Sequence, residues 1–175
     1  MAGSDLPWHP GAEAVGSGLM LILLTILTLY SPHRVEVSAV VSGAAWGFPP
    51  HILMGLADTE STLQHNPPRN GPDGRRWGPP PMGRRWRYCG LMQLRGGAQP
   101  MGQPPEVLFP PCEILILFPE LSVWYGAMHL DGWRRSYGMP WALEAYNCGC
   151  LDNDRCLESD GSFMRKVLRK ARRWE

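Results

Sequence analysis

"GLMLILLTILTLYSPHR", residues 18–34, decides how the rest of the chain is read. Between Leu19 and Leu29 stand six Leu, two Ile and a Met, and the only polar side chains are Thr25 and Thr28. The window without formal charge is wider: it runs from Ala14 to His33, 20 residues, the length a helix needs to cross the hydrocarbon of a bilayer. Such a helix is apolar all round and has no wetted stripe. Each Thr hydroxyl can bond to a carbonyl one turn back.

Three readings compete for this stretch. As a transmembrane helix over 14–33, it has Tyr30 at one interface and Pro32 at its end. Insertion gains roughly 3–5 kcal/mol, eroded by the Gly and Ser residues at 16–18. As the apolar region of a signal peptide it lacks the required positive flank, because Asp5 and Glu13 carry the wrong sign. As the core helix of a globular domain it needs partners, and the remaining sequence does not advertise them. The transmembrane reading is the expectation. The tail 1–13 is acidic and every basic side chain follows from Arg34 onward. Positive charge therefore places the N-terminus outside and the C-terminus in the cytosol, a single-pass membrane protein.

Working outward, residues 37–57 are also uncharged for 21 residues, but Pro49, Pro50 and His51 break any helix midway. The segment 34–63 is expected to be a loosely packed juxtamembrane stretch. From 64 to 105, Pro and Gly interrupt the chain every few residues and no period survives. A disordered linker is expected there. Within it "GRRW" occurs at 74–77 and again at 83–86. Arg75, Arg76, Arg84, Arg85 and Arg87 are candidate anion-binding residues. Guanidinium groups hold phosphate bidentately, and an adjacent indole can stack on a base.

Residues 106–146 hold two apolar runs, "EILILF" at 113–118 and "LSVWYGAMH" at 121–129, bounded by Pro110, Pro111 and Pro119. Both predict short strands, and a lone hairpin is not independently stable. In the linker 147–161, Cys148, Cys150 and Cys156 give C-x-C-x5-C, short of the four ligands of a structural zinc site unless His129 or Cys112 joins them. The carboxylates Asp152, Asp154, Glu158 and Asp160 fail as a calcium loop, because Leu157 stands where glycine is required. No P-loop, G-x-S-x-G or G-x-G-x-x-G is present. No metal, cofactor or enzymatic activity is predicted. The odd cysteine count of 5 leans towards reducing surroundings.

The clearest periodicity closes the chain. Ser162 is the predicted N-cap of a helix over 162–175. At 100° per residue, Phe163, Met164, Val167, Leu168, Ala171 and Trp174 fall within an arc of about 140°. Arg165, Lys166, Arg169, Lys170, Arg172 and Arg173 take the other arc, with no acid among them. Phe163, Met164, Leu168 and Trp174 together with those six cations are the expected contact residues. The partner is an anionic bilayer, a helix-binding protein or, as the alternative, nucleic acid.

Taken together, the sequence predicts a mostly disordered chain with isolated α-helices and no compact domain. One N-terminal helix spans the membrane and a C-terminal basic amphipathic helix makes contacts. Two alternatives stand beside it. One is an Arg-rich nucleic-acid or nuclear interaction protein. The other is an expressed reading frame without selected function, because Arg, Gly (20), Pro (18) and Trp (8) all have GC-rich codons.

Overall fold

A computed structural model describes residues 33–61, 63, 69–70, 76–77, 88–149 and 160–175. Six α-helices run through these residues: α1 Arg34–Trp46, α2 Pro50–Ser61, α3 Cys112–Leu117, α4 Pro119–Tyr137, α5 Trp141–Cys148 and α6 Ser162–Ala171. Two small antiparallel pairs accompany them. Strand β1 (Arg69–Asn70) pairs with β2 (Arg76–Trp77), and β3 (Tyr88–Cys89) pairs with β4 (Leu94–Arg95).

The uncharged stretch after Arg34 breaks where its prolines predict. Its two halves are packed helices rather than a loose segment. α1 closes with the Phe48 N–H donating to the Gly43 carbonyl at 2.9 Å. Pro50 then opens α2 from the helical position that needs no N–H. α2 touches α1, α4 and α6. Leu53, Leu56 and Ala57 on it have no exposed surface. Gly55 permits the closest approach: a Cβ there would lie 2.7 Å from the Val167 carbonyl oxygen and 2.8 Å from the Ala171 Cβ on α6.

The expected strands at 113–118 and 121–129 are helices α3 and α4. The prolines read as strand margins are helix starters instead. Pro111 is the residue before α3, and its carbonyl accepts from the Leu115 N–H at 3.1 Å. Pro119 is the first residue of α4, and Phe118 before it breaks the two helices apart, as a residue preceding proline does. α4, at 19 residues the longest helix described, packs against α1 on one side and α5 on another.

Residues 88–111 cross over α4 as a strap. Cys89 on β3 is disulfide-bonded to Cys112 at the start of α3. The Met92 N–H donates to Ser122 Oγ at 3.0 Å, and the Tyr146 hydroxyl donates to the Met92 carbonyl at 2.8 Å. Gly132 on α4 lets the strap sit close, because a Cβ there would collide with the Met101 carbonyl. Leu91, Met92, Leu94 and Phe109 from the strap join Leu115, Val123, Leu130, Leu143 and Val167 in one hydrophobic core.

The expected fold is therefore corrected. The chain was predicted to be mostly disordered with no compact domain, because the Gly- and Pro-rich middle seemed to leave too little apolar surface for an interior. The interior is built instead by α1 and α2 from before that middle and α3 to α6 from after it, and the middle itself contributes Leu91, Met92 and Leu94 from the strap. This also overturns the case for a single-pass membrane protein, N-terminus outside and C-terminus cytosolic. That case depended on the rest of the chain having no core to offer. No helix among the described residues is long and apolar enough to cross a membrane. The proposed span over 14–33 lies outside the described residues, apart from His33.

Candidate functional site

α6 carries most of the residues singled out from the sequence. Its N-terminus departs from the predicted cap. Gly161 occupies the capping position and Ser162 is already helical. The cap comes instead from α5, where the buried Glu144 accepts the Met164 N–H on Oε1 at 2.7 Å. A carboxylate at this end also meets the positive pole of the helix.

The two arcs separate as the periodicity predicts. Val167 and Ala171 are buried, and Phe163, Met164 and Leu168 pack partly buried against the core. Trp174 lies past the helix end and is 37 % exposed. The cations fall into two groups. Lys170 turns toward α2, where Nζ donates to Asp58 Oδ1 at 2.8 Å, both side chains being largely buried. Arg173 Nη1 stands 3.9 Å from the other oxygen of Asp58, and Arg165 pairs with Asp160 at 3.1 Å. Lys166, Arg169 and Arg172 are exposed and make no ion pair among the described residues. Arg169 projects about 180° from the midpoint of Val167 and Ala171, so it forms the crest of the outer face.

Of the GRRW cations, Arg76 lies in β2, its backbone paired with Asn70. Arg75, Arg84, Arg85 and Arg87 lie outside the described residues.

A second constellation escaped the sequence reading. Tyr125, His129, Trp133 and Tyr137 recur every four residues along one side of α4. That spacing is a helical signal, and it was present in the sequence. The imidazole of His129 is bordered edge-on by Phe109 and Tyr146, both at 5.3 Å between centroids, and by Trp133 at 5.7 Å. The Met101 N–H donates to His129 Nδ1 at 2.8 Å. Trp133 Nε1–H donates towards Nε2 of the same ring at 3.1 Å; a neutral imidazole accepts at one nitrogen only, so the two donors compete for the ring's single acceptor. Burial lowers the His129 pKa from its usual 6.5 to about 4, and the ring is neutral at pH 7.

Chemically, this histidine is a pin. It holds the strap residue Met101 onto α4, and Tyr146 beside it is committed to the Met92 carbonyl. Of the residues considered for zinc, Cys112 is bonded to Cys89 and Cys148 is also in a disulfide. Among the described residues, no group of His, Cys, Asp and Glu is placed to hold a metal ion. The disulfides also run against the reducing surroundings inferred from the odd cysteine count. Cys150 and Cys156, with the carboxylates Asp152, Asp154 and Glu158, lie outside the described residues.

Comparison with known proteins adds no site to these two: no family model, no curated protein and no solved structure matches the chain.

Proposed function

We propose that the protein is a non-enzymatic binding domain that contacts the phosphate backbone of nucleic acid through the outer face of α6. The sequence left three partners for this helix. Two of them, an anionic bilayer and a helix-binding groove, take up the apolar side of an amphipathic helix. In this fold that side is already occupied, with Val167 and Ala171 buried in the core and Phe163, Met164 and Leu168 packed on it. The third partner needs only the cations. Lys166, Arg169 and Arg172 stand free of carboxylates on the accessible side, with Arg165 and Arg173 flanking them. Arginine suits this role because its planar fork meets phosphate oxygens bidentately. The observation that carries the reading is the division of α6 into an occupied apolar side and an unneutralised cationic crest.

The test is a salt titration of full-length protein binding to a fluorescent single-stranded RNA of mixed sequence. Binding should weaken steeply with salt. Changing Lys166, Arg169 and Arg172 together to Gln should reduce the slope of log K against log salt by about 2. The unfolding midpoint should stay unchanged. A protein that ignores RNA at low salt, or a triple variant with the parent's slope, refutes the proposal.

A further inference from the structure

One apolar residue of the C-terminal stretch is left out of the interior. On the apolar arc, Val167 and Ala171 are buried, and Phe163, Met164 and Leu168 pack against the core. Trp174 stays 37 % exposed, and among the described residues its indole makes no hydrogen bond and no ring contact. The backbone around it is nonetheless fixed. The Arg172 N–H donates to the Leu168 carbonyl at 3.4 Å, the Arg173 N–H to the Lys170 carbonyl at 3.1 Å and the Trp174 N–H to the Ala171 carbonyl at 2.9 Å. Both neighbours of Trp174 in sequence turn toward α2: Arg173 Nη1 lies 3.9 Å from Asp58 Oδ2, and Glu175 Oε1 lies 4.0 Å from His51 Nε2.

These contacts hold a large aromatic surface open at the C-terminal end of the cationic crest. Lys166, Arg169 and Arg172 recur at every third position, so the crest extends about 9 Å along the helix axis, and Trp174 follows it closely. An exposed indole loses little entropy on binding, because it turns on only two torsions, and here its backbone is already ordered. A π-face beside arginines is the pairing that suits single-stranded nucleic acid: the guanidinium groups take phosphates and the indole takes a base. In a duplex the bases are stacked inside and offer no free face without being extruded. A bilayer would need the rest of the apolar arc, which the core has taken.

We infer that Trp174 is a base-stacking platform at the end of the crest, and that the surface therefore takes single-stranded rather than duplex nucleic acid. The inference rests on the phosphate-binding reading of α6. It adds a contact to a base, which releases no counterions and so leaves the salt slope alone.

The experiment measures binding of the full-length protein to three fluorescent probes of equal length: a mixed-sequence single-stranded RNA, an abasic strand with the same phosphates, and the RNA duplex. Trp174→Ala should weaken binding to the single-stranded RNA by about fivefold or more, and Trp174→Phe by about twofold at most. Both variants should keep the parent's salt slope and unfolding midpoint, and should match the parent on the abasic strand and the duplex. A Trp174→Ala protein with the parent's affinity for the single-stranded RNA overturns the inference. So does an equal loss on the RNA and the abasic strand. In both cases a slope still lowered by changing Lys166, Arg169 and Arg172 to Gln leaves the phosphate reading standing. A parent protein that binds none of the three probes at low salt overturns both.

Discussion

α1 and α6 are helices of 13 and 10 residues laid against the same helix, α2, and they are opposites in sequence. α6 segregates its apolar and cationic residues completely, so its sequence alone says which side meets the core. α1 has no segregated face beyond Glu36, and its sequence says only that it is to be covered. The structure bears this out at the level of contacts. α6 is fixed by specific partners at both ends, Glu144 on the Met164 N–H and Asp58 on Lys170. α1 meets α4 through small residues, the edge-on Trp46–Trp124 pair and a side-chain bond from Ser38, and Ser42 Oγ and Trp46 Nε1 are left without hydrogen-bond partners. A segregated helix carries its own address, whereas an unsegregated one depends on what surrounds it.

The comparison breaks most readily at the helix both elements share. Leu53→Ala on α2 removes a side chain with no exposed surface and should cost about 3 kcal/mol in urea unfolding, loosening α1 and α6 together. A nearly neutral result would mean that α2 is not the common support. Reducing the Cys89–Cys112 bond, or changing both cysteines to Ser, frees a loop with a sequence separation of 23. The loss should be about 3 kcal/mol, read as a lower urea midpoint. Its effect should centre on the strap and α3, leaving the α2–α6 contact intact.

His129 gives a pH test of the same kind. Its pKa is about 4 in the fold and near 6.5 in the unfolded chain, so the unfolded state takes up the proton first as pH falls. The stability it contributes is complete above pH 6.5. It is lost progressively as pH drops to 4, by at most about 3 kcal/mol. His129→Gln should lower stability at pH 7 and flatten the profile in that window. An unchanged profile would show that the ring is not held neutral by burial.

Smaller effects separate the two helices themselves. Glu144→Ala leaves the Met164 N–H without its acceptor and should cost about 1–2 kcal/mol, with fraying confined to the first turn of α6. Arg169→Gln, on the crest of the outer face, should leave the melting temperature within the equivalent of about 0.5 kcal/mol. Ser38→Ala on α1, which removes the hydroxyl bond to the Glu120 carbonyl of α4, should cost about 1 kcal/mol. Equal, negligible effects at both positions would erase the distinction between the helices.

How much of this was legible in the sequence follows from the same contrast. The C-terminal helix was readable because its period and its charge agree. The break at Pro49–Pro50 was readable because proline acts locally. α3 and α4 resemble strands in the sequence because short apolar runs fit either period, and prolines flank strands and helix starts alike. The recurrence of Tyr125, His129, Trp133 and Tyr137 at four-residue intervals would have settled α4 as a helix. The interior itself was not legible, since its helices come from opposite sides of the Gly- and Pro-rich stretch 64–105, Leu91, Met92 and Leu94 within that stretch pack between them, and no local pattern announces their meeting. The caps of α6 were hidden for a similar reason. Glu144 is 20 residues from the amide it holds and Lys170 is 112 residues from Asp58. Of the candidate site, the cationic crest could be read. That Lys170 is withdrawn from it into a buried ion pair could not.

The central claim is that helices from both ends of the chain close around α2 into one cooperative unit. Native-state hydrogen exchange on the full-length protein in detergent-free buffer tests it most directly. The account predicts that the amides of Leu53, Leu56, Val123, Leu143 and Val167 exchange slowest and converge on a single opening free energy equal to that of global unfolding. Exchange that is fast and uniform across these helices, or that opens α2 at an energy far below α4, would contradict it.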